Sequence, residues 1–94
     1  MISFMNSKPK RYRVEATPRF RRMLRKLDRE AQHRTLTKLR ELETKPYSFK
    51  RLHGPLAGRY AVRIGDHRVL YTIDEEEGRV VLHTVVHRRI AYKR

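Results

Sequence analysis

The sequence has no cysteine and few acidic residues. Without cysteine, disulfides, thiolate nucleophiles and thiolate metal sites are excluded. No apolar run approaches the roughly 20 residues that a membrane span requires. The first residues also lack the positive-then-apolar pattern of a signal peptide. We therefore expect a soluble, cytoplasmic protein that makes no use of a membrane.

The scarcity of acids leaves a large positive charge. There are 10 acidic residues against 24 lysines and arginines, which gives a formal net charge of +14. Four of the acids are consecutive, from Asp74 to Glu77. A field of this sign attracts polyanions and steers their association. RNA or DNA is the expected partner, and a merely solvated basic surface or binding to a membrane surface is the alternative.

The N-terminal half predicts one strand and two helices. Residues 1–10 have no periodicity and are interpreted as a flexible leader to a single domain at 11–94, whose first strand is Arg11–Ala16. Thr17 before Pro18 is a typical helix start, and Asp28 is suited to cap a second helix that ends before Pro46. The predicted buried stripes of the two helices are Phe20, Met23, Leu24 and Leu27, then Ala31, Thr35, Leu36, Leu39 and Leu42.

The centre of the chain predicts a β-hairpin. Two alternating segments, 60–64 and 67–73, flank Gly65-Asp66, a pair suited to a two-residue turn. Such a turn fixes the register, in which Arg63 lies directly opposite Arg68. Like charges opposed in this way repel each other, and an anion held between them would remove the penalty.

A third apolar strand follows at 80–86, and 47–58 is interpreted as a loop. The order is then β-α-α-β-β-β, an α+β fold with two layers. An antiparallel helical hairpin packs on one face of a small antiparallel sheet. The other face, which carries Arg63 and Arg68, stays open.

The residue types exclude several kinds of chemistry. The five histidines have no metal-ligand spacing, and neither a catalytic carboxylate pair nor a phosphate-binding glycine loop is present, so we expect no metal and no cofactor. The remaining arginine, lysine, histidine and tyrosine suffice for cleavage of RNA by its own 2′-hydroxyl. Tyr92 lies among basic residues that would lower its pKa. On these residues alone, a nucleic-acid binder and a ribonuclease both stay open.

Three segments resemble a known family. They are KRLHGPLAGRY at 50–60, VRIGDHRVLY at 62–71 and HRRIAY at 87–92. The chain resembles the RelE/ParE superfamily of type II toxin–antitoxin toxins over about residues 11–94, and its RelE branch more closely. The resemblance implies a helical hairpin on an antiparallel sheet. It also implies an mRNA interferase that enters the ribosomal A site and cuts mRNA without a metal, inhibiting translation.

The resemblance also implies which residues act. Arg68 would stabilise the transition state, aided by Arg63 and by Arg88 or Arg89, and Tyr92 would be the catalytic tyrosine. Ala61 departs from the pattern, because some RelE toxins have a second basic residue at that position. The expected RNA-binding residues, some of which could compensate, are Lys50, Arg51, Arg59, His87, Lys93 and Arg94.

The implied partners are an acidic, partly disordered antitoxin, the ribosome with its RNA, and mRNA. Operator DNA would be contacted only indirectly, through the antitoxin complex. Two other functions stay open: a ParE-like toxin that poisons DNA gyrase, and a non-catalytic RNA-binding module.

Overall fold

The computed structural model describes residues 11–87, which form two helices and a five-stranded sheet. The leader at 1–10 and the C-terminal residues 88–94 lie outside the described residues. The elements are β1 (Arg13–Ala16), α1 (Pro18–Arg25), α2 (Arg29–Leu39), β2 (Lys50–Arg51), β3 (Tyr60–Ile64), β4 (His67–Asp74) and β5 (Arg79–His87).

The sheet has the order β1-β5-β4-β3-β2. Strands β3, β4 and β5 form the predicted antiparallel meander. Strand β1 instead pairs parallel with β5, so the sheet is mixed rather than wholly antiparallel. Parallel strands cannot be joined by a tight turn. The chain from β1 to β5 accordingly passes through both helices and the other three strands.

The predicted hairpin register is confirmed. Tyr60 pairs with Tyr71, Val62 with Val69, and Arg63 with Arg68. Gly65 lies in the turn with a φ of +62°, a conformation that glycine adopts without steric cost. The turn therefore places the two arginines on the same face of the sheet.

Both predicted helix starts are confirmed. The Thr17 side chain accepts a hydrogen bond from the backbone N–H of Phe20 at 3.1 Å, and the Asp28 side chain accepts one from Ala31 at 2.8 Å. These bonds satisfy amide groups that have no partner within the helix. Helix α2 ends at Leu39, and a 3₁₀ turn from Arg40 to Glu43 continues it toward Pro46.

The core lies between the helices and one face of the sheet. Its largest fully buried side chains include Tyr71, Phe20 and Leu42. The hydroxyl of Tyr71 donates a buried hydrogen bond of 2.6 Å to the carbonyl of Pro46. Leu36 was predicted to be buried but is 50% exposed, because it borders an open hollow between α2 and the strands that carry Val14 and Leu82. No helix of the described chain is long and apolar enough to cross a membrane.

The segment interpreted as a loop contains strand β2, which the sequence did not reveal. Its two residues, Lys50 and Arg51, pair antiparallel with Ala61 and Tyr60 at the edge of the sheet. A second irregularity lies between β4 and β5, where Leu70 pairs with Thr84 but Tyr71 pairs with Leu82. His83 is therefore the extra residue of a bulge.

Candidate functional site

The sheet face that points away from the core carries the arginine pair, Arg63 and Arg68. We call this the open face, and its residues on β3 and β4 are Ala61, Arg63, Arg68, Leu70 and Thr72. Arg63 is exposed, and its Nε donates a 3.4 Å hydrogen bond to the carbonyl of Gly65. Arg68 is half-buried directly opposite. Two opposed guanidinium groups, one of them partly withdrawn from water, suit a bound phosphate.

Strand β2 brings a lysine to the open face. Lys50 pairs with Ala61, and residues that are directly opposed share a face with their Cβ atoms about 4.5–5.5 Å apart. Ala61 is buried, and its side chain is only a methyl group. Lys50 therefore presents a cation beside the position where the resemblance leads one to expect a basic residue on β3.

Two of the expected RNA-binding residues lie on the other face. Arg51 pairs with Tyr60, whose ring stacks on buried Tyr71 at 5.5 Å between ring centroids. His87 pairs with His67 at the end of the sheet, and their rings meet edge to face with centroids 5.6 Å apart. Because His67 opposes buried Ile64, this histidine pair belongs to the helix side. The structure separates Arg51 and His87 from the arginine pair.

Arg59 borders a hollow in the open face that was not predicted. The hollow has a volume of about 400 Å³ and is lined by Thr17, Arg19, Leu56, Arg59, Leu70, His83 and Thr84. Burial lowers the pKa of His83, and the nearby charge of Arg59 lowers it further, so the ring is neutral at neutral pH. The bulge turns His83 toward this face, and simple alternation along a strand gives no signal for that.

The remaining predicted site residues are Arg88, Arg89, Tyr92, Lys93 and Arg94, which lie outside the described residues. Strand β5 leads directly into them. The last residue of β5, His87, pairs with His67, the first residue of β4. This position is next to the turn between Arg63 and Arg68. The last described residue of β5 thus lies at the same end of the sheet as Arg63 and Arg68.

Three described tyrosines are poorly suited to act as bases. The hydroxyls of Tyr12 and Tyr47 both donate to one carboxylate oxygen of Glu75, at 2.5 and 2.6 Å. The bond to Glu75 raises the pKa of Tyr12 to about 12 and also raises the pKa of Tyr47, while burial raises the pKa of Tyr71. All three phenols stay protonated at neutral pH.

The acidic turn, Asp74 to Glu77, makes ion pairs and hydrogen bonds with neighbouring residues and does not form a cation site. Arg79 bridges Asp74 at 3.2 Å and Glu15 at 3.1 Å. The backbone N–H of Glu77 lowers the pKa of the Asp74 carboxyl, with a smaller contribution from Arg79, and the hydrogen bond from Arg79 lowers the pKa of Glu15. Across residues 11–87, no three histidine or acidic side chains are grouped so as to hold a metal ion. The groups that the described part of the site offers for binding or catalysis are cations, a neutral histidine and hydroxyls.

A family model described as the ParE toxin of the type II toxin–antitoxin system parDE matches residues 14–92. A comparison with curated protein sequences gives no significant match.

Solved structures show the same fold. The toxin–antitoxin complex RelBE2 from Mycobacterium tuberculosis matches at 34% identity, covering 83% of this chain and 92% of that one, with a TM-score of 0.73. The RelE–RelB complex from Pyrococcus horikoshii matches at 26% identity over 82% and 94%, with a TM-score of 0.69. A double arginine mutant of E. coli toxin RelE in the free state has 21% identity over 87% of both chains, with a TM-score of 0.73.

The family match spans most of the chain, and the fold of these toxins agrees with the element order found here. The chain belongs to the RelE/ParE superfamily of type II toxin–antitoxin toxins.

Proposed function

We propose that this toxin is a metal-independent endoribonuclease that cuts mRNA in the ribosomal A site and so inhibits translation. The observation that carries the proposal is the arginine pair, Arg63 opposite Arg68, on the sheet face that points away from the core. A net charge of +14 supports association with the ribosome, whose RNA surface is a dense polyanion.

The side chains present in this sequence are sufficient for the proposed reaction. The 2′-oxygen of one nucleotide attacks the adjacent phosphorus, and the bond from phosphorus to the 5′-oxygen breaks. The products are a 2′,3′-cyclic phosphate and a free 5′-hydroxyl. Negative charge grows on the phosphorane oxygens, where Arg68 and Arg63 would stabilise it. Such fixed cations act more strongly in the transition state than in the ground state.

Proton transfer is assigned to the C-terminal residues. Tyr92 would take or orient the 2′-hydroxyl proton, because neighbouring cations would lower its pKa. Among the described tyrosines, Tyr12, Tyr47 and Tyr71 have raised pKa values, and the ring of Tyr60 stacks on buried Tyr71 on the helix side. Arg88 or Arg89 would add positive charge at the departing 5′-oxygen, whose proton must come from a nearby donor.

Lys50 is proposed to supply the cation that position 61 lacks. Its register partner is Ala61, so its ammonium group can reach the space above the open face beside the arginine pair. Arg59 extends this basic surface along the hollow. Lys93 and Arg94 would add contacts to RNA phosphates, which position a nucleic acid without reading its sequence.

The proposed regulator is a cognate acidic antitoxin. Two of the similar structures are complexes of a RelE-type toxin with its antitoxin. An acidic, partly disordered segment would be attracted to the basic open face and would fold as it binds. Contact with operator DNA would then be indirect, through the antitoxin.

A second candidate function is inhibition of DNA gyrase by protein binding. The description of the matching family model as a ParE toxin favours this candidate, and the absence of a basic side chain at Ala61 weakens the ribonuclease. A non-catalytic RNA-binding module is the third candidate.

Primer extension on mRNA translated in the presence of the toxin separates the three candidates. Ribonuclease activity predicts cuts within codons that disappear in Arg68→Ala, while Arg40→Ala, an exposed arginine on the helix side, keeps them. Absence of cuts together with accumulated gyrase–DNA cleavage complexes would overturn the proposal in favour of the second candidate. Ribosome binding with neither activity would favour the third.

A further inference from the structure

The hollow in the open face is an open groove lined by both apolar and polar side chains. Its floor is formed by Leu70 and Thr84, which are paired across β4 and β5, and Leu56 from the preceding loop forms an apolar wall. Arg19 and Arg59 lie at its border. Its volume of about 400 Å³ is at the lower end of the range for small-molecule pockets, roughly 300–1,000 Å³. That volume suits a single flat ring system with polar edges.

The floor of the hollow contains a buried hydroxyl that has no partner among the described residues. Thr84 is 9% exposed, and its Oγ1 makes no hydrogen bond within residues 11–87. A buried polar atom left in this state costs free energy, and native structures rarely keep one without a reason. Thr84 also lines the hollow, so a ligand bound there is the nearest candidate partner for this hydroxyl.

The histidine of the β5 bulge provides a second polar group at fixed orientation. Its Nε2 lies 2.9 Å from the hydroxyl of Thr72, and no other hydrogen bond of the ring is made within residues 11–87. That bond engages Nε2, so Nδ1 is the ring nitrogen that makes no hydrogen bond among the described residues. A neutral imidazole presents a donor at one nitrogen and an acceptor at the other, which suits the edge of a nucleobase.

The hollow also lies at a suitable distance from the arginine pair. Arg68 and Leu70 are two residues apart on β4 and face the same side, which corresponds to a step of about 6.8 Å along the strand. A step of this size is comparable to one nucleotide of an extended single strand. A phosphate held by Arg63 and Arg68 would therefore place a flanking base over the hollow.

We propose that this hollow is a nucleobase pocket, in which His83 and Thr84 read the base of the nucleotide next to the cleaved phosphate. The inference rests on the proposed ribonuclease function. Leu56 and Leu70 contact the faces of the base, the two polar groups contact its edge, and Arg59 contacts the phosphate that follows. The pocket makes these residues determinants of cleavage-site preference rather than of the chemical step.

Binding can be tested without cleavage, by NMR of the full-length chain titrated with each of the four nucleoside 5′-monophosphates. One or two of them should shift the His83 ring and Thr84 methyl signals. His83→Leu and Thr84→Val should each weaken that binding by at least about threefold, the lower end for one neutral hydrogen bond. Thr44→Val, an exposed threonine outside the hollow, serves as the matched control and should change nothing.

Folding of the key variant is checked in the same samples. Thr84→Val keeps the side-chain shape and removes a hydroxyl that has no partner, so its melting temperature should equal or exceed that of the wild type. The proposal is overturned if the nucleotides do not bind, if their shifts are confined to the arginine pair, or if binding at His83 does not depend on the base.

The consequence for cleavage is measured on ribosomes programmed with mRNAs that differ in the single base beside the cut. The wild type should prefer some bases, and His83→Leu and Thr84→Val should reduce that preference by a larger factor than they reduce total cleavage. An unchanged preference in both variants overturns the pocket and leaves the ribonuclease intact. Base-dependent binding at His83 without any cleavage by the wild type supports the pocket and overturns the ribonuclease.

Discussion

Removal of Lys50 tests whether β2 supplies the cation that position 61 lacks. Lys50→Ala takes one positive charge from the open face and leaves the arginine pair untouched. The residue is exposed at the edge of the sheet, so the substitution should cost little folding free energy. Any loss of activity would then come from the site rather than from the fold.

The position of Lys50 sets the size of the expected effect. Removing one preorganised donor to a developing oxyanion costs about 10²–10³ in rate where the site excludes water. The Lys50 side chain is exposed, so solvent screens its charge and a smaller loss is expected. We expect a fall of about 10-fold in the single-turnover cleavage rate, or about 1.4 kcal/mol of transition-state stabilisation. The log–log salt dependence of binding should become shallower by about 0.7.

The neighbouring residue provides a matched control. Arg51→Ala removes the same charge from the adjacent position, but its register partner Tyr60 places it on the helix side. Single-turnover cleavage on programmed ribosomes should therefore be affected much less by Arg51→Ala. Equal losses in the two single variants would refute the assignment.

Two further predictions concern the scaffold. Tyr71→Phe should lower the free energy of unfolding by about 1–2 kcal/mol in urea melts, because it removes the hydrogen bond to the buried carbonyl of Pro46. The control is Tyr60→Phe, which removes a hydroxyl with no hydrogen bond among the described residues and should change the free energy of unfolding by less than about 0.5 kcal/mol. Equal effects of the two variants would contradict this reasoning. The free energy of unfolding should also fall as the pH rises from about 10 to about 12, because unfolded Tyr12 ionises near 10 while the bond to Glu75 raises its folded pKa to about 12. Glu75→Gln should lower the Tyr12 pKa in a phenolate absorbance titration and make that fall smaller, and an unchanged titration would count against the contact.

The parts of the fold that follow from local patterns could be predicted from the sequence. Thr17-Pro18, Asp28 and Gly65-Asp66 each fix a boundary through a nearby hydrogen bond or a backbone requirement, and all three were confirmed. Parallel pairing of β1 with β5 could not be predicted, because it joins residues more than 60 positions apart and leaves no local periodicity. Strand β2 was missed because two residues are too few to show alternation.

Some features of the candidate site could likewise be predicted from the sequence, and others could not. The opposition of Arg63 and Arg68 follows from a two-residue turn and was predicted in full. Lys50 and Arg51 lie on opposite faces of the sheet, and this placement depends on the register of β2, which was not predicted. The His83 hollow depends on a bulge, which shifts the face of every later residue and therefore cannot be predicted by counting along β5.

The central claim is that the open face directs cleavage by the RNA's own 2′-hydroxyl. The most direct measurement uses ribosomes programmed with an mRNA that has a single 2′-deoxynucleotide on the 5′ side of the mapped cut. The 2′-deoxy substitution should abolish cleavage at that bond while the all-ribose mRNA is cut and leaves a 2′,3′-cyclic phosphate. Cleavage of the 2′-deoxy mRNA at the same bond would contradict the account.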